Sequence, residues 1–119
     1  MIRVMIIEDE VPILEMMNRF VSTTQPFHVI GLFHNSKDAL EQITILNPDL
    51  VFLDNEMPHI KGLTIAKELK RIKQDTKIVF TTASSTFSED IRQLMFDLLL
   101  KPVMPEDIAR IRDLIVRNY

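Results

Sequence analysis

Four short apolar runs, each stopping at polar residues, constrain what this chain can fold into. Val4-Met5-Ile6-Ile7 ends at Glu8-Asp9, Leu50-Val51-Phe52-Leu53 at Asp54, Ile78-Val79-Phe80 at Thr81-Thr82, and Leu98-Leu99-Leu100 at Lys101. A run apolar at every position reads as a strand buried on both faces, the habit of parallel sheets. Helical patterns separate the runs at short, regular intervals, the signature of a βα repeat. In open sheets of this kind, ligands bind outside the carboxyl ends of the strands. The acid pair, the lone aspartate, a hydroxyl and the lysine are therefore expected to share one crevice.

The segments between the runs fill in the rest. Pro12 suits the first turn of a helix, where its missing N–H costs nothing. That helix turns Ile13, Leu14, Met17, Phe20 and Val21 inward and runs to about Gln25-Pro26. Phe27 to Phe33 forms a second strand. Asn35 or Ser36 caps a helix with an inward stripe of Leu40, Ile43 and Leu46, closed by Asn47-Pro48. A loop over residues 55–61 leads to a helix burying Leu63, Ala66, Leu69 and Ile72. Thr86-Phe87-Ser88-Glu89 has capping-box spacing and predicts a helix with Phe87, Ile91, Leu94 and Met95 on one stripe. Pro105 starts the last helix, with Ile108, Ile111, Leu114 and Ile115 inward. Five strands and five helices in strict alternation predict a doubly wound α/β fold, a parallel flavodoxin-like sheet of order 2-1-3-4-5 with helices on both faces. Its switch point lies between strands one and three, which carry Glu8-Asp9 and Asp54.

With 119 residues, the chain is read as a single domain, residues 1–119, large enough to bury a core without disulfides or a structural metal. It has no cysteine, which excludes thiolate metal sites and thiol nucleophiles. A net charge of -3 argues against a nucleic-acid surface; Lys67, Lys70, Arg71 and Lys73 cluster, but as the solvated face of one helix. No segment approaches the ~20 apolar residues that span a bilayer, and the first apolar stretch is too short for a signal peptide. The expected location is the cytoplasm. His28, His34 and His59 read as loop or strand-end residues, and the methionines mostly as core filler.

Three carboxylates converging without a cation repel one another, and some must hold protons. A hard divalent ion resolves this, and Mg²⁺ accepts one or two carboxylates while keeping room for phosphate oxygens. Asp9 and Asp54 are the candidate direct ligands, with Glu8 holding a bound water and the Glu56 carbonyl completing the set. Asp54 is also the candidate nucleophile, since a carboxylate can form an aspartyl-phosphate. Phosphoryl transfer needs positioning and charge neutralisation, which Mg²⁺, the Lys101 ammonium and the Thr82 hydroxyl supply. Thr81 is the rival for that hydroxyl.

In order along the chain, Ile6-Ile7-Glu8-Asp9-Glu10, residues 51–58 (VFLDNEMP), Thr82-Ala83 and Lys101-Pro102 resemble the receiver domain of two-component response regulators. The resemblance covers essentially the whole chain. It implies that Asp54 accepts a phosphoryl group from a histidine kinase or phosphotransfer protein, and that the Lys101-Pro102 bond is cis. It also implies that the only catalysis is self-phosphorylation and its reversal. An output domain beyond Tyr119 and homodimer formation are compatible with it.

Three positions depart from the family pattern. Leu98 stands where an aromatic is usual, Met95-Phe96 where small residues are usual, and the interval from Thr82 to Lys101 is about one helical turn short. All three fall on the usual output face, so the expectation is an altered, more apolar readout. Glu56 and Ser84 occupy positions that tune phosphoryl lifetime in the family. Two other readings compete: a pseudo-receiver that binds a partner constitutively, and a haloacid-dehalogenase-type phosphatase. The latter uses an Asp nucleophile but places a second Asp where Glu56 stands.

Overall fold

In the computed structural model, which describes residues 1–117, the four apolar runs and the Phe27 to Phe33 segment become five parallel strands. They are β1 (Ile2–Ile7), β2 (Phe27–Phe33), β3 (Leu50–Asp54), β4 (Lys77–Thr82) and β5 (Asp97–Leu100), in spatial order β2-β1-β3-β4-β5. Helices α1 (Val11–Ser22), α2 (Ser36–Leu46), α3 (Gly62–Ile72), α4 (Glu89–Leu94) and α5 (Pro105–Arg117) connect and follow them. The architecture is the doubly wound sheet the alternation predicts.

Side chains alternate across a strand, so each buried strand feeds two cores. Val4, Ile6, Phe52, Val79 and Leu99 pack under α1 and α5, meeting Leu14, Met17, Val21, Ile108, Ile111 and Ile115. Met5, Ile7, Val51, Leu53, Ile78 and Phe80 face the other way, against Ala39, Ile43, Ile65, Ala66, Leu69 and Ile91 of α2, α3 and α4. Phe52 and Phe80 are fully buried, one in each layer, and each contributes about 1.5–3 kcal/mol by leaving water. No helix among the described residues is long and apolar enough to cross a membrane.

Register brings the strand ends level. Ile7 pairs with Leu53, Asp54 with Thr81, and Thr82 with Leu100. Glu8, Asp54, Thr82 and Lys101 therefore emerge along one rim.

Several boundaries differ from the sequence expectation. Helix α1 stops at Ser22 rather than near Gln25, because the Thr23 and Thr24 hydroxyls donate to the Arg19 and Phe20 carbonyls and end it. Helix α4 is capped by Ser88, whose hydroxyl accepts from Ile91 N–H, not by Thr86; Phe87 packs on the core from the segment before the helix. The stripe of α3 is rotated, with Ile65 buried and Leu63 and Ile72 only half-buried. The basic cluster is not one solvated face: Lys70 donates to the Gln74 and Thr76 carbonyls, and Lys73 pairs with Asp49 at 3.1 Å.

Candidate functional site

Asp54 is the last residue of β3 and its carboxylate is fully buried. Oδ1 accepts from Lys101 Nζ at 3.0 Å and from the Glu56 N–H at 3.0 Å. Oδ2 is buried with no hydrogen-bond partner. Glu8, next after β1, is equally buried; its Oε2 accepts from Glu10 N–H at 3.1 Å. Its Oε1 lies 3.1 Å from Lys101 Nζ, an ion-pair contact without hydrogen-bond alignment. Asp9 is half-buried beside them, and Glu8, Asp9 and Asp54 each offer an oxygen within 4.8 Å of the others.

Lys101 reaches the pocket because its N–H is fixed to the Thr82 carbonyl at 2.8 Å, continuing the ladder past the end of β5. The Lys101-Pro102 bond is cis, as the resemblance implied. The charges settle accordingly. Burial pushes the Glu8 carboxyl up, and the neighbouring Asp54 carboxylate adds to this, so its pKa rises to about 7. Burial works against the Lys101 charge, yet the bond to Asp54 and the proximity of Glu8 outweigh it and hold the ammonium above its ordinary value.

One lysine for three acids leaves the cluster short of positive charge. Two buried oxygens without donors beside a half-buried third acid are what a hard cation takes as ligands. The donor set is all oxygen, and Mg²⁺ fits it.

The structure brings Glu8, Asp9, Asp54 and Lys101 together directly. Thr82 joins them through Glu56: its hydroxyl donates to Glu56 Oε1 at 2.6 Å. Thr81 is also buried, but its contribution at this point is its carbonyl, which accepts from Asn55 N–H at 2.9 Å. The sequence pointed to Glu56 for its carbonyl and, through the resemblance, for phosphoryl lifetime; the contact its side chain makes is with Thr82 and the Ala83 N–H. Gly62 was also missed as a site-shaping residue. A Cβ there would stand 2.7 Å from the Asp54 carbonyl oxygen, so the start of α3 abuts the strand end that carries Asp54. The only sequence signal for it was a glycine at a helix start in a chain with two glycines. His28, His34 and His59 are exposed.

Comparison with known proteins follows the same lines. The family pattern described as response regulator receiver domain matches residues 4–112. An uncharacterized response regulatory protein of Yersinia pestis is 35% identical over 99% of this chain and 52% of its own length. The transcriptional regulatory protein DpiA of Escherichia coli is 35% identical over 89% of this chain and 48% of its own length. The chain thus spans about half the length of these relatives. Among solved structures, the response regulatory domain of protein mrkE from Klebsiella pneumoniae superposes with a TM-score of 0.87 at 25% identity, covering 98% of this chain and 96% of that one.

Proposed function

This chain belongs to the family of response regulator receiver domains, and on that premise we propose that it accepts a phosphoryl group on Asp54 and relays the event through its surface. The observation that carries the proposal is the Asp54 carboxylate, buried, held through Oδ1 by Lys101, and free at Oδ2 within a cluster of acids.

In the transfer, an oxygen of Asp54 forms a bond to phosphorus as the bond to the donor breaks. The donor atom, a histidine nitrogen or an acetyl oxygen, leaves with the electron pair. Lys101 keeps the Asp54 carboxylate ionised and oriented beforehand and offsets the charge of the phosphoryl group afterwards. Thr82 donates its hydroxyl to a phosphoryl oxygen. Glu8, Asp9 and Asp54, with the Glu56 carbonyl, would hold Mg²⁺, which when bound neutralises the phosphoryl oxygens and orients them for in-line transfer. The phosphodonor is a histidine kinase or phosphotransfer protein in the cytoplasm. The readout is a changed partner surface, by homodimer formation or through an output domain outside this chain, and the domain itself binds no nucleic acid.

Incubation with acetyl phosphate and Mg²⁺, followed by intact mass, tests this. Wild type is expected to gain one phosphoryl group that Asp54→Asn and chelation both abolish. Turnover of unrelated phosphoesters would identify a phosphatase instead, and neither gain nor turnover a constitutive binding module.

A further inference from the structure

Glu56 follows Asp54 by two residues, and its side chain reaches across to the end of β4. Its Oε1 accepts from the Thr82 hydroxyl at 2.6 Å and from the Ala83 main-chain N–H at 2.8 Å. Its own N–H donates to Asp54 Oδ1 at 3.0 Å. One residue thus touches the acceptor carboxylate with its main chain and the adjacent donors with its side chain. A hydroxyl and an N–H converging on one anionic oxygen serve a carboxylate and a phosphoryl oxygen equally well. The hydroxyl has one proton, and that proton is committed to Glu56 while Thr82 Oγ1 accepts from Ser84 N–H at 3.2 Å. Thr82 cannot serve a second anion until Glu56 lets go.

We propose that Glu56 is a resident anion that a phosphoryl group must displace: its carboxylate occupies the Thr82 hydroxyl and the Ala83 N–H, and its departure frees both for phosphoryl oxygens. The inference rests on the acceptor reading of Asp54 given above. It makes Glu56 a positioning residue that acts through Thr82 and Ala83. It also gives the event a route outward, because Ala83 opens the exposed segment 83–86 that leads towards the short helix α4. That route does not pass through position 98, where this chain has a leucine.

Glu56 is exposed, so its substitution leaves the core intact. Glu56→Ala removes the carboxylate. Glu56→Asp keeps the charge but withdraws it by one methylene. Glu89→Gln removes an exposed acid of α4, paired with Arg92, as a control for net charge. With acetyl phosphate and Mg²⁺, both Glu56 variants are expected to gain phosphate on Asp54 roughly tenfold faster than wild type, because the open form no longer has to be drawn from a minor population. Glu89→Gln is expected at the wild-type rate. In the metal-free proteins, the Ala83 amide proton should move upfield in both Glu56 variants as its charge-assisted bond is lost.

If Glu56→Asp stays as slow as wild type while Glu56→Ala is fast, repulsion of the donor by charge governs the rate and the proposal falls. Equal rates throughout, or an Ala83 resonance indifferent to both substitutions, also overturn it and leave Asp54 as the acceptor. No phosphate on Asp54 in any of the proteins, wild type included, removes the acceptor reading and this inference with it.

Discussion

Gly62 and Gly31 are the two glycines of the chain, and both lack room for a side chain, but what blocks the room differs. At Gly31 a Cβ would meet Leu46 Cδ1 and Phe33 Cε2 at 2.8 Å, the ends of side chains that can turn aside. At Gly62 it would meet main-chain atoms, the Asp54 oxygen at 2.7 Å and Asn55 Cα at 3.2 Å, which cannot move without moving Asp54 itself. Overpacking of this kind costs on the order of 1–3 kcal/mol. Gly62→Ala is therefore expected to lose about that much in urea denaturation and to slow phosphate uptake, whereas Gly31→Ala loses less and takes up phosphate normally. Equal behaviour of the two variants would show that α3 tolerates displacement from β3. At this scale the strand-end pattern was enough to bring Glu8, Asp9, Asp54 and Lys101 to one crevice, because the strands are buried runs that stop level with one another. It did not reveal the Glu56 side-chain contacts, which depend on how the segments after β3 and β4 face each other, or the close approach at Gly62, which depends on how the loop after β3 folds back on the strand end.

Helix α4 has six residues and depends on its first turn. Thr86 and Ser88 are both N-cap residues by type, and the spacing of Thr86 to Glu89 favoured the former. In the structure, Thr86 N–H donates to Ser84 Oγ at 3.1 Å, which folds residues 84–86 into a turn of their own. Phe87 then drops against the core, and the helix begins only at Glu89 with Ser88 as its cap. Ser88→Ala is expected to cost about 1 kcal/mol and to speed amide exchange through α4, while Thr86→Ala leaves exchange there unchanged. Faster exchange in the Thr86 variant alone would reverse this assignment. The same comparison shows which parts of an element a sequence discloses. The strands were legible because a parallel strand buried on both faces has nearly every residue apolar. Helix faces were legible to within one residue, as Ile65 in α3 shows, because the apolar stripe is wider than the strictly buried line. Helix ends were not, wherever neighbouring Ser and Thr compete for one cap.

Across the whole molecule, the two ends of the sheet respond to pH in opposite senses. Near the amino end, Asp49 accepts from Arg3 N–H at 2.9 Å and from Lys73 at 3.1 Å. Burial works against that carboxylate, but the Arg3 N–H and Lys73 outweigh it and hold its pKa below the ordinary 3.8. Its contribution is present above 3.8 and is lost as the pH falls through the lowered folded value. At the carboxyl end, burial first and the neighbouring Asp54 carboxylate second raise Glu8 from 4.5 to about 7. There the folded protein binds the proton more tightly than the unfolded chain, so stability declines as the pH rises from 4.5 to about 7. In chelator, the thermal midpoint is accordingly expected to fall over that interval. Glu8→Gln should flatten the fall without metal, because an amide has no proton to release. Mg²⁺ should flatten it in wild type, because a cation between Glu8, Asp9 and Asp54 favours their ionised forms and binds only the folded chain. Asp49→Asn should leave the fall towards neutrality in place and lessen only the loss on the acid side. A midpoint that climbs steadily to pH 7 in chelator would mean that Glu8 is ionised throughout, and that Lys101 alone balances the acids of the pocket.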